Sequence, residues 1–378
     1  MKMKQLILFL YLGFLSISLS CCVNKKGMEI NKEKEKVLMT DNVIKTVSYK
    51  DLFSKIEIIP LETNTCFLIT NIDKAAITGD TLILFDMFQS KVGIFNIKGE
   101  FIQLIGTRGQ GPEEYLSIYD FTLKPQTNII SLLSPFGKLH NFHLTGEFVG
   151  NMELPAKHNY FACDWINERD IILWSAVEEE ESGLTIYNTS AESIIYENWH
   201  NDRMLDMQRL KPFFKYDDTV YFGAPLSFSV YEISTKGVKL SYTWDFNGKY
   251  ISESYIEKIK QIEDPREKNE RLIEDIKNGN IEIPLFNGEN NEYYYIAIGK
   301  GIGEFSEVTN IFYSKNSDKI FSFLKFKEGL SLKPLYMNEE YILGIIPNED
   351  YEVYNDILGS NIVRKEDDNP VLVRFFFY

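Results

Sequence analysis

Lys91-Val-Gly-Ile-Phe95-Asn-Ile-Lys-Gly99-Glu100-Phe101 is followed later in the chain by Lys138-Leu-His-Asn-Phe142-His-Leu-Thr-Gly146-Glu147-Phe148. The two stretches share the pattern K-x3-F-x3-G-E-F, and each matched residue is displaced by the same 47 positions, from 91 to 138, 95 to 142 and 99 to 146. Each copy reads as strand, glycine-containing turn, strand. A hairpin repeated at that period is the signature of a propeller blade.

Strand-like runs bounded by turn residues recur around this pair. They lie at 56–60, 81–85, 101–105, 128–133 and 170–174, then at 219–222, 238–244, 293–298, 319–324 and 370–378. Several are apolar on both strand faces, as Leu82, Ile83, Leu84 and Phe85 are, which suits strands buried between neighbouring blades. Aromatic residues make up 14% of the chain and suit the wedge-shaped gaps between blades. One charged segment, 251–280, instead spaces Ile251, Tyr255, Ile256, Ile259, Ile262, Leu272, Ile273 and Ile276 as a helix would, with Pro265 as a break. With an insertion at 249–290 set aside, residues 44–378 hold a little over six periods of 47. The expected fold is therefore an all-β six-bladed propeller, with seven blades as runner-up and a helical insertion around 251–280. Strand-like runs at both ends (56–60 and 371–378) predict a closing blade built from both, which leaves no open sheet edge.

The N-terminus precedes this fold. Lys2 and Lys4, an apolar run over 6–15 and Ser18-Leu19-Ser20 before Cys21-Cys22 read as an export signal over 1–20, too short in its apolar part for a comfortable span. A small residue before Cys at the cleavage point makes Cys21 the expected lipidated residue. The alternatives are Cys22 or a plain secretory signal. Residues 21–43 read as a polar tether. Loss of 1–20 would remove two lysines and no acids, taking the net charge from −15 to −17, which disfavours nucleic acid and anionic membrane surfaces as partners. Cys66 and Cys163 are left either to form one disulfide or to remain free thiols.

Between the two hairpins lies Gly106-Thr-Arg108-Gly109-Gln-Gly111-Pro112-Glu-Glu114-Tyr115. It joins the outer strand of one blade to the inner strand of the next, where such loops ring the mouth of a propeller channel. Gly109 and Gly111 would allow a tight turn or positive φ, and Pro112 would stiffen the exit. Arg108 is expected to fork onto a carboxylate, either Glu114 or a bound anion. The structural loop residues are thus Gly106, Gly109, Gly111 and Pro112, and the candidate binding residues are Arg108, Glu114 and Tyr115.

With Cys21, the 95–102 hairpin, the G-x-R-G-x-G-P-x-E-Y signature followed by Asp120-Phe121, and the ending Asp368-Asn369-Pro370, the chain resembles the six-bladed β-propeller lipoproteins of Bacteroides-type bacteria, which are related in architecture to NHL-repeat propellers. The resemblance implies a lipid-anchored envelope protein and supplies no catalytic residues. In such hosts an acidic run after the lipidated cysteine marks surface export. Residues 22–26 contain none, so the periplasmic side is expected.

Motifs for chemistry are sparse. His140 and His143 stand three apart on a strand and point to opposite faces, so exposed imidazoles are expected rather than a metal pair. Gly299-Lys-Gly301-Ile-Gly303 lacks the spacing of a nucleotide loop and reads as a hairpin turn. The acids at 178–181 read as a solvated turn. No metal or cofactor is expected. The functional expectation is a non-catalytic binding or scaffold protein for a peptide, glycan or partner protein. The alternative is a lyase or hydrolase whose site is assembled at the channel mouth from several blades.

Overall fold

The computed structural model describes residues 36–40, 43–135, 137–155, 159–175, 183–197, 211–301, 307–361, 363–365 and 367–378. The expected signal, Cys21, His158, His200 and the acidic run at 178–181 lie outside the described residues.

Six sheets succeed one another along the described chain, each built on four antiparallel strands that follow sequence order in the first five blades. Blade 1 comprises Lys74–Thr78, Thr81–Asp86, Lys91–Asn96 and Phe101–Leu104. Blade 2 comprises Asp120–Leu123, Ile129–Ser134, Lys138–His143 and Phe148–Glu153. Blade 3 begins at Tyr160–Trp165, blade 4 at Phe213–Tyr216 and blade 5 at Glu282–Glu289. Blade 6 takes Lys333–Met337, Tyr341–Ile345 and Val371–Phe377 from the C-terminal end and Phe53–Pro60 from the N-terminal end. The register there runs from Val371 opposite Pro60 to Phe377 opposite Phe53. The ring is the six-bladed propeller expected from the repeat, closed by strands from both ends.

The repeat has a local cause. Gly99 and Gly146 sit at φ of +91° and +88°, which L side chains rarely adopt, and their N–H groups donate to Asn96 O and His143 O at 2.9 and 2.8 Å. Phe95 meets Phe101 across the hairpin at 5.4 Å between ring centroids, and Phe142 meets Phe148 at the same 5.4 Å. Three of the five shared letters of the pattern are therefore the turn residue and the cross-strand aromatic pair.

The core is divided into layers between adjacent blades. Ile83 and Phe85 pack with Phe121, Ile130 and Leu132 of blade 2, whereas Leu82 and Leu84 pack with Leu343 and Leu372 of blade 6. Alternation along one strand thus feeds two different cores, which explains why both of its faces are apolar.

Two segments depart from the sequence reading. The tether was expected to run to residue 43, but Lys36–Met39 adds a parallel strand to the outer edge of blade 4, and Val43–Ile44 does the same on blade 5. Leu38 is fully buried in the core between those blades, and Lys36 Nζ donates to Tyr294 OH at 2.6 Å. The chain entering the propeller therefore straps two outer edges before it completes the third. The second departure is helix α3 (Tyr351–Leu358), inserted within blade 6, with Tyr354 buried and Gly359 capping it at φ +63°.

The expected insertion is two helices, α1 (Glu253–Lys260) and α2 (Pro265–Lys277), between blades 4 and 5. Ser252 caps α1, and Asp264 caps α2 by accepting from the N–H groups of Arg266 and Glu267. Pro265 takes the first position of α2, where its missing N–H costs nothing. Ile256, Ile259, Leu272 and Ile276 bury against Leu226, Ile281 and Ile283. Cys66 is exposed, Cys163 is buried, and both are free thiols.

Candidate functional site in the central channel

The first strand of each blade borders the axis, and all six contribute to a single cavity of about 340 Å³. Its wall has two unlike halves.

Charges occupy the half made by blades 1 to 4. Lys74 of blade 1 places Nζ 2.9 Å from Asp120 Oδ1 of blade 2 and donates to Phe121 O at 2.6 Å. Asp120 also accepts the N–H of Phe121 at 2.8 Å and, through Oδ2, the N–H of Cys163 in blade 3 at 3.0 Å. Asp164 of blade 3 accepts the Thr122 hydroxyl of blade 2 at 2.6 Å and the N–H of Trp165 at 2.8 Å. It also pairs with Lys215 Nζ of blade 4 at 3.0 Å. Two carboxylates thus link four blades edge to edge around the axis. Lys211, just ahead of blade 4, reaches the segment ahead of blade 2 and donates to Tyr119 O at 2.6 Å.

Burial and charge set the protonation of this half. Burial pulls the Lys74 ammonium down, but Asp120 and Asp164 together outweigh it and leave the group above the ordinary lysine range. Lys211 ends below that range, because burial and the nearby Lys74 outweigh Asp120 and Asp73. The Cys163 thiol is pushed well above its usual range by burial and by Asp120 beside it, so it stays protonated.

The opposite half is apolar and amide-bearing. It is formed by Leu285, Phe286 and Asn287 of blade 5 and by Leu335, Tyr336 and Met337 of blade 6. Burial pushes the Tyr336 hydroxyl up to about 12.

The 106–115 loop is not part of this wall. It closes on itself at the junction of blades 1 and 2. Arg108 and Tyr115 form a parallel bridge, with Gly109 N–H donating to Tyr115 O at 3.0 Å and Tyr115 N–H to Thr107 O at 3.2 Å. Tyr115 is buried. Its hydroxyl donates to Ile105 O at 3.1 Å, its ring meets that of His140 edge-on, and burial pushes its pKa up to about 12. Glu114 does not pair with Arg108 but accepts the N–H of Gly111 at 2.7 Å. Arg108 is exposed, and its side chain makes no ion pair among the described residues. Positive φ falls on Gly106, at +67°, and not on Gly109 or Gly111. Those two are glycines because the Glu114 carboxylate lies against them: a Cβ on Gly109 would sit 2.0 Å from Oε2, and one on Gly111 would sit 3.0 Å from it.

A double-mutant cycle tests that reading. Gly109→Ala is expected to cost about 1–2 kcal/mol, because it drives Glu114 off the Gly111 amide. The same substitution in a Glu114→Ala background should cost less than half as much, while Arg108→Ala leaves the melting temperature unchanged. Equal cost in both backgrounds, measured by urea unfolding, would remove Glu114 from the explanation.

His140, expected on the surface, is buried beneath Tyr115 with no partner at Nδ1 among the described residues, and burial lowers its pKa. Neither it nor His143 reaches the cavity. Among the described residues no group of three or more His, Cys, Asp or Glu is placed to hold a metal ion. Gly299 and Gly301 stand at the end of one strand of a hairpin in which Lys300 lies opposite Glu307, and Gly303 lies outside the described residues.

Ring closure, six blades and an axial cavity lined by all six first strands define a six-bladed β-propeller. The chain belongs to the family described as "Domain of unknown function (DUF4934)", matched over residues 35–376. The fold is similar to that of the candidate exported protein BF0058 from Bacteroides fragilis NCTC 9343, with 16% identity, a TM-score of 0.71, and 91% of this chain and 100% of that one covered. It is also similar to a member of the DUF4221 family from Bacteroides vulgatus, at 12% identity and TM-score 0.51 over 86% of this chain and 97% of that one. A search of curated proteins found no match.

Proposed function

We propose that the protein is a lipid-anchored binding protein of the bacterial cell envelope that presents its central channel to a peptide, glycan or partner protein. The observation that carries this reading is the convergence of all six first strands on one cavity with a charged half and an apolar half. Convergent polar groups in an otherwise apolar concavity are what a ligand site requires. The lysines and acids there are held in place by bonds between blades, so the charges are positioned before any ligand arrives.

Export is supported by the signal-like 1–20 segment and by the fold likeness to a candidate exported protein. Among the described residues no helix is long and apolar enough to cross a membrane, so a lipid on Cys21 supplies the attachment in this reading. Cys21→Ala should move the protein from the membrane fraction to the soluble fraction and end incorporation of labelled fatty acid. Continued labelling would transfer the anchor to Cys22.

The binding reading is tested with peptide and glycan libraries against the full chain and an Asn287→Trp variant, in which an indole replaces the amide that rests against Gly223 at the channel wall beside blade 5. Binders of the wild type should be lost in the variant while its circular-dichroism spectrum stays that of the folded propeller. Binders that survive the plug would place recognition elsewhere.

A further inference from the structure

We infer that the channel takes the end of an uncharged carbohydrate, with two neighbouring hydroxyl groups on Asp164 and Lys215 and the C–H face of the sugar ring against Phe286 and Tyr336. This deepens the channel reading and rests on it. Charge narrows the choice first. Lys74, Lys211 and Lys215 are matched at the wall by Asp73, Asp120 and Asp164, so a ligand of either sign would upset a balanced, enclosed set of charges. One acceptor in that wall has capacity left. Asp164 is 8% exposed, and the Thr122 hydroxyl, the N–H of Trp165 and the Lys215 ammonium all converge on its Oδ1. Its Oδ2 accepts nothing among the described residues, whereas both oxygens of Asp73 and of Asp120 are engaged.

A carboxylate oxygen inside a concavity calls for a donor, because an ionised carboxylate can only accept. The Lys215 ammonium stands 3.0 Å from Oδ1 and its side chain is 37% exposed, so it keeps hydrogens to give. The pair thus offers a free acceptor and a free donor side by side. Two adjacent hydroxyl groups match it. One donates to Asp164 Oδ2 and its neighbour accepts from Lys215, and both bonds are charge-assisted although no charge is brought in. A single trans amide fits less well, because its N–H and C=O point to opposite sides. The far half of the cavity supplies the second requirement. Phe286 and Tyr336 line it as partly exposed rings, and Asn287 adds an amide that both donates and accepts. A sugar ring is built in the same two halves, an apolar C–H face and a rim of hydroxyls. A space of about 340 Å³ is of the size that holds the end of a glycan rather than a folded partner.

The test is a calorimetric titration of the full chain with cellobiose, maltose, lactose and diacetylchitobiose, and with the capped amino acid N-acetylphenylalaninamide. At least one saccharide is expected to bind saturably and more tightly than the capped amino acid. Among the monodeoxy forms of that saccharide, at least one should bind at least about tenfold more weakly, the worth of a charge-assisted hydrogen bond. Asp164→Asn keeps an oxygen for Thr122, Trp165 and Lys215 but puts an amide nitrogen where Oδ2 stood. It should weaken binding by at least the same factor while its circular-dichroism spectrum stays that of the folded propeller. No saturable binding of any of the saccharides, tighter binding of the capped amino acid, or equal binding of every monodeoxy form would overturn the inference without requiring any variant to fold. Unchanged affinity in Asp164→Asn would overturn it as well. The two levels remain separable. A library peptide lost on Asn287→Trp, in a protein that binds none of the saccharides, overturns the carbohydrate inference and leaves the channel reading standing. A saccharide that survives Asn287→Trp overturns both.

Discussion

Asn369→Ala is expected to destabilise the protein by about 3–5 kcal/mol, read as a shift in the urea midpoint at constant slope. Asn369 is 3% exposed and joins the two ends of the chain. Its Nδ2 donates to Glu62 O and Phe67 O, both at 2.9 Å, and its Oδ1 accepts the N–H of Ile69 at 2.7 Å. Its own N–H donates to the Thr63 hydroxyl at 3.0 Å. Truncation would orphan two carbonyls and one amide where the N-terminal segment meets the C-terminal one, at about 1–3 kcal/mol for each group that water does not reach. Asn369→Asp should not rescue, because a carboxylate would face the same two carbonyls with no hydrogen to give. A loss under about 1 kcal/mol would mean that closure depends on the strand pairing of Phe53–Pro60 with Val371–Phe377 alone.

Asp120→Ala should be comparably costly, about 3–5 kcal/mol, because it leaves the Lys74 ammonium uncompensated in the channel wall and the N–H of Cys163 without its acceptor. The Lys74 side chain is only 17% exposed, so water replaces little of the lost partner. The double variant Lys74→Met with Asp120→Asn removes both charges and retains an acceptor for Cys163, and it should recover more than half of the loss. The pH dependence has a definite sign. The folded-state pKa of Lys74 lies above its ordinary value of 10.5, so the pair's contribution is fully present below 10.5 and is lost as pH rises through the folded value. A double variant as unstable as Asp120→Ala would show that the N–H network, and not the charge, is what Asp120 supports.

The propeller was legible because its repeat letters have single physical roles. Gly99 and Gly146 are fixed by backbone angle, and Phe95 and Phe142 by a partner across the hairpin, so neither can drift without local cost. Pro265 and the isoleucine spacing marked the inserted helices for similarly local reasons. The strap at Lys36–Met39 was hidden because it buries one side chain, Leu38, and follows a charged run that reads as tether. A four-residue parallel edge strand has no periodicity to detect. The 106–115 loop drew attention for its glycines and arginine, but its glycines make room for Glu114, an internal contact that its composition does not distinguish from an anion site.

The residues that line the channel were not legible. Lys74, Asp120, Asp164, Lys215 and Tyr336 stand one or two to a blade and are separated by dozens of residues. Each looks like an ordinary strand residue, and only ring closure brings them together. The Asp368-Asn369-Pro370 ending was visible as a motif, but its work as a clasp depends on backbone groups near residue 65 that no pattern in the sequence points to.

Hydrogen–deuterium exchange on the full chain, with and without a ligand selected from the peptide and glycan libraries, tests the channel most directly. Protection is predicted in the first strands of several blades at once, at 74–78, 120–123, 213–216 and 333–337, with 106–115 unchanged. Protection confined to 106–115, or to the helices at 253–277, would contradict the assignment of the channel as the binding site.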